Sequence, residues 1–235
     1  MASSVKVPKL PKVIAPPWKK WGKKLTLVGI VLDKSGSMLS IKQQAIDGFN
    51  EQLEELRSSV DKNHTVKAMV TLFGSTIEKQ SSLKDVEDIH RLTSKTYKPS
   101  GMTAMYDAVG ATISALQNQF VPPGTNVGYL VVVVSDGMEN YSKEYNAPAI
   151  RSLVTECQDT GKWTFVYVGA NQDLTKVSRD LNIPVLNTLS FEASPHGYRI
   201  ADARTSSALS SYLSDRKFGK SATKDFFSNN KGSDD

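Results

Sequence analysis

Residues 33 to 37 read Asp-Lys-Ser-Gly-Ser and carry oxygen-bearing side chains at alternate positions, Asp33, Ser35 and Ser37. On a tight turn that enters a helix, alternate residues point to one side, and Gly36 permits an unusual backbone angle between them. The three side chains can therefore converge on one point. Carboxylate and hydroxyl oxygens are hard ligands, which favour Mg²⁺ or Mn²⁺ over zinc.

Two more segments place oxygen ligands where the same fold could use them. Asp136 precedes Gly137 at the end of a Val-rich run, and Thr103 stands in SGMTAM just before a helical pattern. The carboxyl ends of parallel strands share one edge of a sheet, so we expect all three segments to meet there. The simpler interpretation of Ser35 and Ser37 is N-capping of the following helix, but three converging segments favour a metal site.

The elements that must position these residues follow from the apolar spacing. Strands are predicted over residues 25–33, 64–73, 76–83, 128–135, 163–170 and 184–191. Helices are predicted over residues 38–60, 103–120, 148–160, 173–181 and 195–214. The Val-rich strand is apolar on both faces, which places it in the centre of the sheet. This order predicts an α/β fold, a doubly wound and mostly parallel sheet flanked by helices.

The charge is unevenly divided along the chain, and this division predicts the domain organisation. The net charge is +5, but residues 1–24 hold seven lysines and no acid, together with four prolines. We expect an extended basic N-terminal arm at residues 1–24, one domain at 25–215, and a disordered tail at 216–235. The tryptophans and lysines of the arm allow two interpretations. The slightly preferred one is a flexible basic leader whose tryptophans fold back on the domain, and the other is a docking segment for nucleic acid, an acidic protein or an anionic surface.

The constellation resembles the metal-ion-dependent adhesion site of von Willebrand factor A (vWA) domains. The pattern of that site is Asp-x-Ser-x-Ser, a lone Thr, and an Asp followed by Gly, and LDKSGSM, SGMTAMYDA and SDGMEN occur here in the expected order. The likeness covers roughly residues 25–215 and implies the same Rossmann-like fold. One departure is Met102, where Gly is more usual before the threonine.

The resemblance also implies roles for the five residues around a Mg²⁺ ion, with Mn²⁺ as the alternative. Ser35 and Ser37 would ligate the metal directly, Thr103 directly or through water, and Asp33 and Asp136 mostly through water. The segments TFVYVGANQD and RIADARTSSALSSYLS look most like the intracellular bacterial and bacteriophage branch of the family. Asp107 and Glu139 lie near these motifs, but a capping or solvated role is preferred for Asp107 and a surface role for Glu139.

Catalysis is not expected from this sequence. The three histidines are widely separated, no phosphate loop is present, and no nucleophile stands beside a general base. A metal-dependent hydrolase is therefore the least favoured hypothesis.

The function expected instead is a metal-dependent protein-binding module, an adaptor or assembly factor, that captures an Asp or Glu of a partner. The second hypothesis is a structural component of a phage particle or similar assembly, in which the metal site mainly stabilises. No transmembrane segment or signal peptide is expected, and the single cysteine, Cys157, fits a reducing cytoplasm in a bacterial or phage-infected cell, with the virion as alternative. No oligomeric state is predicted.

Overall fold

The computed structural model describes residues 23–170 and 174–228. Its strands are β1 (Lys24–Asp33), β2 (His64–Phe73), β3 (Ile77–Asp85), β4 (Asn126–Ser135), β5 (Trp163–Ala170) and β6 (Thr188–Phe191). Its α-helices are α1 (Lys42–Ser58), α2 (Met105–Gln117), α3 (Ala147–Asp159), α4 (Leu174–Leu181) and α5 (Pro195–Lys217). The predicted basic arm falls almost wholly on residues 1–22, which lie outside the described residues.

The strands form one sheet in the order β3-β2-β1-β4-β5-β6. All neighbouring pairs are parallel except β2 with the edge strand β3. The Val-rich strand β4 pairs with both β1 and β5, so its predicted central position is confirmed. Helices cover both faces, and the predicted doubly wound α/β class is confirmed.

Each face of the sheet has its own apolar core. One core packs α1 and α5 on the sheet, and the other packs α2, α3 and α4 on the opposite face. The helix α2 packs closely on β1 at Gly29. A Cβ atom added to Gly29 would lie only 2.4 Å from the Thr112 side chain. A larger residue at Gly29 would push apart the two elements that carry Asp33 and Thr103.

Two predicted elements begin four residues later in the structure than expected. The first helix was expected to start at Met38, but Gly36–Ile41 forms a 3₁₀ turn and α1 begins only at Lys42. A 3₁₀ turn is a common helix start and holds the preceding loop tightly. The last strand was expected from Pro184, but Val185–Asn187 is also a 3₁₀ turn and β6 is only four residues long.

The expectation of a disordered tail over residues 216–235 is wrong for residues 216–228. Arg216 is fully buried, and Phe226 and Phe227 are 4% and 8% exposed within the α1/α5 core. Phe226 also donates its backbone N–H to Asn187 Oδ1 at 2.8 Å. The polar composition suggested disorder, but two phenylalanines bury enough apolar surface to hold the segment against the sheet.

Within the described residues, no helix is long and apolar enough to cross a membrane.

Acid is expected to destabilise the fold through His64. This buried ring makes contacts with Thr26 Oγ1 at 2.7 Å through Nε2 and with the Ser59 carbonyl at 3.3 Å through Nδ1. The carbonyl can only accept, so Nδ1 carries the proton and Nε2 accepts from the threonine. Burial, and then the charge of Arg216, lowers the pKa of His64 from 6.5 to about 4.

The direction of this pH effect on stability follows from the difference in proton binding between the folded and the unfolded chain. The unfolded chain binds the proton first, so stability is lost as pH falls from 6.5 toward 4, by about 2 kcal/mol after allowance for solvent screening. Urea unfolding of the wild type and of His64→Gln, each at neutral pH and at pH 4.5, measures this loss of stability. The variant should lose less stability than the wild type over this interval, and equal losses would contradict the assignment.

Candidate metal centre

The sheet brings the two predicted carboxylates to one edge. Asp33 ends β1 and Ser135 ends β4, and the strands pair in register up to Leu32 and Val134. Because both strands run in the same direction, the loop with Ser35 and Ser37 and the loop with Asp136 leave the sheet side by side. These strands form because their runs are apolar on both faces, and the chain becomes polar where the packed helices end.

Thr103 comes from a third loop that is hydrogen-bonded to the other two. Gly36 N–H donates to the Gly101 carbonyl at 3.1 Å, and Ser100 N–H donates to the Lys34 carbonyl at 2.6 Å. On the other side, Thr103 N–H donates to Asn140 Oδ1 at 3.0 Å. These backbone contacts fix the threonine between the Asp33 loop and the Asp136 loop.

All five predicted residues lie together around a small cradle beside Gly137. A Cβ atom built on Gly137 would lie 3.0 Å from Thr103 Oγ1, 3.6 Å from Ser37 Oγ and 3.7 Å from Asp33 Oδ2. Ser37 Oγ lies 3.0 Å from Ser35 Oγ and donates to Asp136 Oδ1 at 2.6 Å. Oxygens from three loops therefore converge where only a glycine leaves room.

The N-capping interpretation of the serines does not describe this geometry. Ser35 occupies the residue before the 3₁₀ turn, but its side chain makes no capping hydrogen bond. Its hydroxyl instead faces that of Ser37. Asp33, Ser35 and Thr103 are buried, while Ser37 is exposed and Asp136 half-buried, so the cradle opens to solvent on the Ser37 side.

Neither carboxylate has a compensating cation among the described residues. Asp33 accepts from Ser35 N–H at 2.6 Å and from Ser135 Oγ at 2.5 Å. Burial nevertheless raises the pKa of Asp33 to about 6, and burial also raises the pKa of Asp136. Among the described residues neither makes an ion pair, and the nearby Lys34 pairs with Glu78 instead. Among the described residues, the centre therefore has two carboxylates and no cationic side chain paired with them. A divalent cation would stabilise such an arrangement.

The donor set fits a hard cation. It comprises hydroxyl and carboxylate oxygens, the ligands that Mg²⁺ and Mn²⁺ prefer. Within the described part of the chain, no cluster of three or more His, Cys, Asp or Glu side chains could hold a metal. A metal at this edge would therefore depend on the serine and threonine hydroxyls as much as on the two aspartates.

The other two carboxylates near the motifs have structural partners. Asp107 is 7% exposed and accepts backbone N–H groups of Lys143, Glu144 and Tyr145. It caps a loop rather than its own helix. The Glu139 carboxylate accepts four hydrogen bonds, from the backbone N–H groups of Tyr106, Tyr141 and Ser142 and from the Ser142 hydroxyl. Both side chains brace the loop that follows β4, so neither is free to act as a further ligand.

Some residues that support the centre carry no sequence signal. Tyr97 donates its hydroxyl to the Asp33 carbonyl at 2.5 Å, although 64 residues separate the two. Asn140 holds Thr103 through its side chain and through its backbone N–H. Only Asn140 could have been suspected, because it lies four residues after Asp136.

Substituting Gly137 by alanine is expected to block the cradle without unfolding the domain. The new methyl group would lie 3.0 Å from Thr103 Oγ1, where it would displace any ion held by the three loops. We expect the stabilisation by Mg²⁺ to fall by at least about half, with a change in stability in EDTA below about 1 kcal/mol. Gly36→Ala is the matched control, because its methyl group would meet only the Gly101 carbonyl, at 3.6 Å. Gly36 is not among the glycines with a positive φ, so the unusual backbone angle expected there is not found and alanine is not strained. An unchanged Mg²⁺ response in Gly137→Ala would place the ion elsewhere.

Comparison with known proteins supports the class of domain that the fold and this centre define. Residues 28–139 match the family model described as von Willebrand factor type A domain. This region contains all five residues of the centre. No curated protein matches the chain in a sequence comparison.

Solved structures share the fold at low sequence identity. A von Willebrand factor type A protein from Catenulispora acidiphila is 13% identical with a TM-score of 0.54, over 80% of this chain and 43% of that one. The vWF domain of the type V pili tip protein Mfa5 from Porphyromonas gingivalis is 9% identical with a TM-score of 0.60, over 84% and 96%. The manganese-loaded TRAP protein of Plasmodium vivax is 16% identical with a TM-score of 0.55, over 77% and 72%.

These matches establish the Rossmann-like vWA fold. The matched structures from C. acidiphila and the mussel byssus are longer proteins, and this chain spans less than half of each.

Proposed function

We propose that the chain is a metal-dependent protein-binding module. Asp33, Ser35, Ser37, Thr103 and Asp136 would hold one Mg²⁺ ion, with Mn²⁺ as the alternative. The observation that carries the proposal is a cradle with one buried and one half-buried carboxylate, three hydroxyls and, among the described residues, no protein cation. The manganese-loaded P. vivax structure, which has the same fold, adds support for a divalent ion in a domain of this type.

The bound ion would supply a positive centre with a position open to an anionic oxygen of a partner. The chain itself contributes the opening, since Ser37 is exposed and Asp136 is half-buried at the mouth of the cradle. A Glu or Asp of the partner has the charge that such a centre attracts, and a charged contact in a partly desolvated interface favours a specific partner. A binding role is preferred to a catalytic one because the five cradle residues include no histidine, cysteine or lysine that could serve as a general base or activated nucleophile.

A thermal melt in EDTA and then in rising Mg²⁺ tests the metal. At ten times the dissociation constant, binding should stabilise the fold by about 1.4 kcal/mol, or about 3 to 6 °C. The matched control is Asp136→Ala, in which the melting temperature should not respond. No saturable shift in the wild type at millimolar Mg²⁺ would count against the proposal.

The second candidate is a structural component of a phage particle or similar assembly. It is favoured by the pilus proteins among the solved structures with this fold, which are parts of assemblies. In that case the chain should copurify with particles in the presence of EDTA. Retention that requires Mg²⁺ and is lost in Ser35→Ala would favour capture of an acidic residue instead.

We also propose an intracellular location, in a bacterial or phage-infected cell. It is supported by Cys157, a free and buried thiol in a chain with no second cysteine.

A further inference from the structure

A cavity of about 290 Å³ lies directly beside the metal cradle. It is enclosed by the start of α2, the loop after β4, and α4, and its apolar walls include Met105, Val177 and Leu181. Gly137 lines this cavity and also forms the cradle, so the two are adjacent. The volume is at the lower limit for small-molecule sites, about 300 Å³, and suits a single large side chain.

Tyr167 in β5 contributes a buried hydroxyl to this cavity, whose lining also includes Tyr106, Glu139, Lys176 and Asp180. The side chain is fully buried, yet its hydroxyl has no hydrogen-bond partner in the structure. A Cβ atom on Gly169 would lie 2.8 Å from this hydroxyl oxygen, so the ring extends along the strand toward its carboxyl end, where the metal cradle lies. A buried hydroxyl without a partner is costly to the fold, and a ligand that supplies the missing hydrogen bond would recover that cost.

Large apolar side chains are exposed close in sequence to the cradle residues. Each of the three loops exposes one large apolar residue, with exposed fractions of 62% for Leu39, 45% for Met102 and 55% for Met138. Single exposed apolar residues are ordinary, but three around one polar centre form a surface typical of protein interfaces. A partner that reaches the cradle would therefore bury apolar contacts beside its acidic residue.

We propose that the cavity receives a tyrosine or tryptophan side chain of the partner, a few residues from the acidic residue at the metal. This inference rests on the proposed function and specifies its partner. An aromatic ring fits the walls formed by Met105, Val177 and Leu181, and its polar end can pair with the Tyr167 hydroxyl. Phenylalanine and leucine would fill the same space but leave that hydroxyl unpaired.

Selection from a displayed library of short random peptides tests the inference. The full chain is immobilised in Mg²⁺, washed, and eluted with EDTA, and the eluted peptides are sequenced. We expect Asp or Glu in the eluted peptides, with Tyr or Trp enriched about tenfold over Phe at a fixed offset from the acid. Acidic peptides without aromatic enrichment would overturn the cavity assignment alone. If no peptide elutes with EDTA, the proposed function fails and this inference with it.

Two tyrosine variants separate recognition from folding. Tyr167→Phe removes the unpaired hydroxyl, so its melting temperature should be equal to or higher than that of the wild type, and it should keep the selected acid but lose the preference for Tyr and Trp over Phe. Tyr212→Phe is the matched control, because Tyr212 is buried in the core on the opposite face of the sheet. An unchanged peptide preference in Tyr167→Phe, or the same loss in Tyr212→Phe, would refute a role of the Tyr167 hydroxyl in recognition.

Discussion

Asp33→Asn is expected to make the metal-free protein more stable and to abolish its response to Mg²⁺. The wild-type carboxylate is fully buried and its pKa is raised to about 6, mainly by burial. A folded-state pKa above the unfolded value means that stability is present at low pH and is lost as pH rises from 3.8 through 6. At pH 7 the ionised Asp33 therefore destabilises the metal-free fold, and a neutral amide removes that penalty.

The amide can keep the existing hydrogen bonds. Its oxygen can accept from Ser35 N–H, and its NH₂ group can donate to Ser135 Oγ, which already has the Gly137 carbonyl as an acceptor for its own proton. With allowance for screening, we expect a gain of about 1 to 2 kcal/mol at pH 7 in EDTA.

Urea unfolding in EDTA and in Mg²⁺, for both proteins, measures this effect. At pH 4 the stabilities of the two metal-free proteins should converge, because Asp33 is then largely protonated in the folded state. A variant that is less stable in EDTA at pH 7 would contradict the penalty assigned to the ionised Asp33. A variant that still gains stability with Mg²⁺ would contradict a role of Asp33 in holding a cation. Functional centres commonly destabilise a fold while they are empty, and ligand binding then restores the stability.

Arg216→Ala is expected to cost about 3 to 5 kcal/mol of unfolding free energy. The guanidinium is fully buried and donates to the Leu25 and Asn126 carbonyls, both at 2.9 Å, and to the Lys220 carbonyl at 2.6 Å. It also donates to Thr26 Oγ1 and Asn126 Oδ1. Alanine would leave these buried acceptors unpaired and open a cavity where α5 and the segment after it meet β1 and β4.

Chemical unfolding with circular dichroism measures the loss. Lys217→Ala is the matched control, because the adjacent side chain is 38% exposed and makes only a surface ion pair with Asp61, so its loss should be below about 1 kcal/mol. Arg216→Lys should also be strongly destabilising, since one ammonium group cannot serve acceptors spread over three segments. Equal stabilities of the Arg216 and Lys217 variants would contradict the assigned role.

The positions of the predicted site residues could be read from the sequence because each depends on a local pattern. An apolar run that ends in Asp33 marks the carboxyl end of a strand, and the same holds for the run before Asp136. Thr103 precedes a helical stripe, and the fold rule for parallel sheets places all three at one edge. The structure brings them together, while the presence of the metal stays a prediction that the melts described above can test.

The tail was misjudged for a physical reason that applies to short polar segments in general. Residues 218–228 have little periodicity, so composition dominated the expectation of disorder. Phe226 and Phe227 are held by a surface that α5, β5 and the 3₁₀ turn before β6 create together, and the Asn187 contact to Phe226 N–H joins residues 39 apart. Sequence patterns are read over short stretches of chain, and no such stretch contains both partners of this hydrogen bond.

The sequence by itself thus determined the order of the strands and helices, the fold class and the five residues of the candidate centre. These features follow from apolar periodicity and from residue types at strand ends, which act over short stretches of chain. Only the tertiary structure decided that the carboxylates lack a protein cation, that Tyr167 is buried with an unpaired hydroxyl beside the cradle, and that Arg216 joins the end of α5 to the start of β1. Each of these depends on which distant segments pack together and on what they exclude, since charge pairing and burial are properties of the assembled fold.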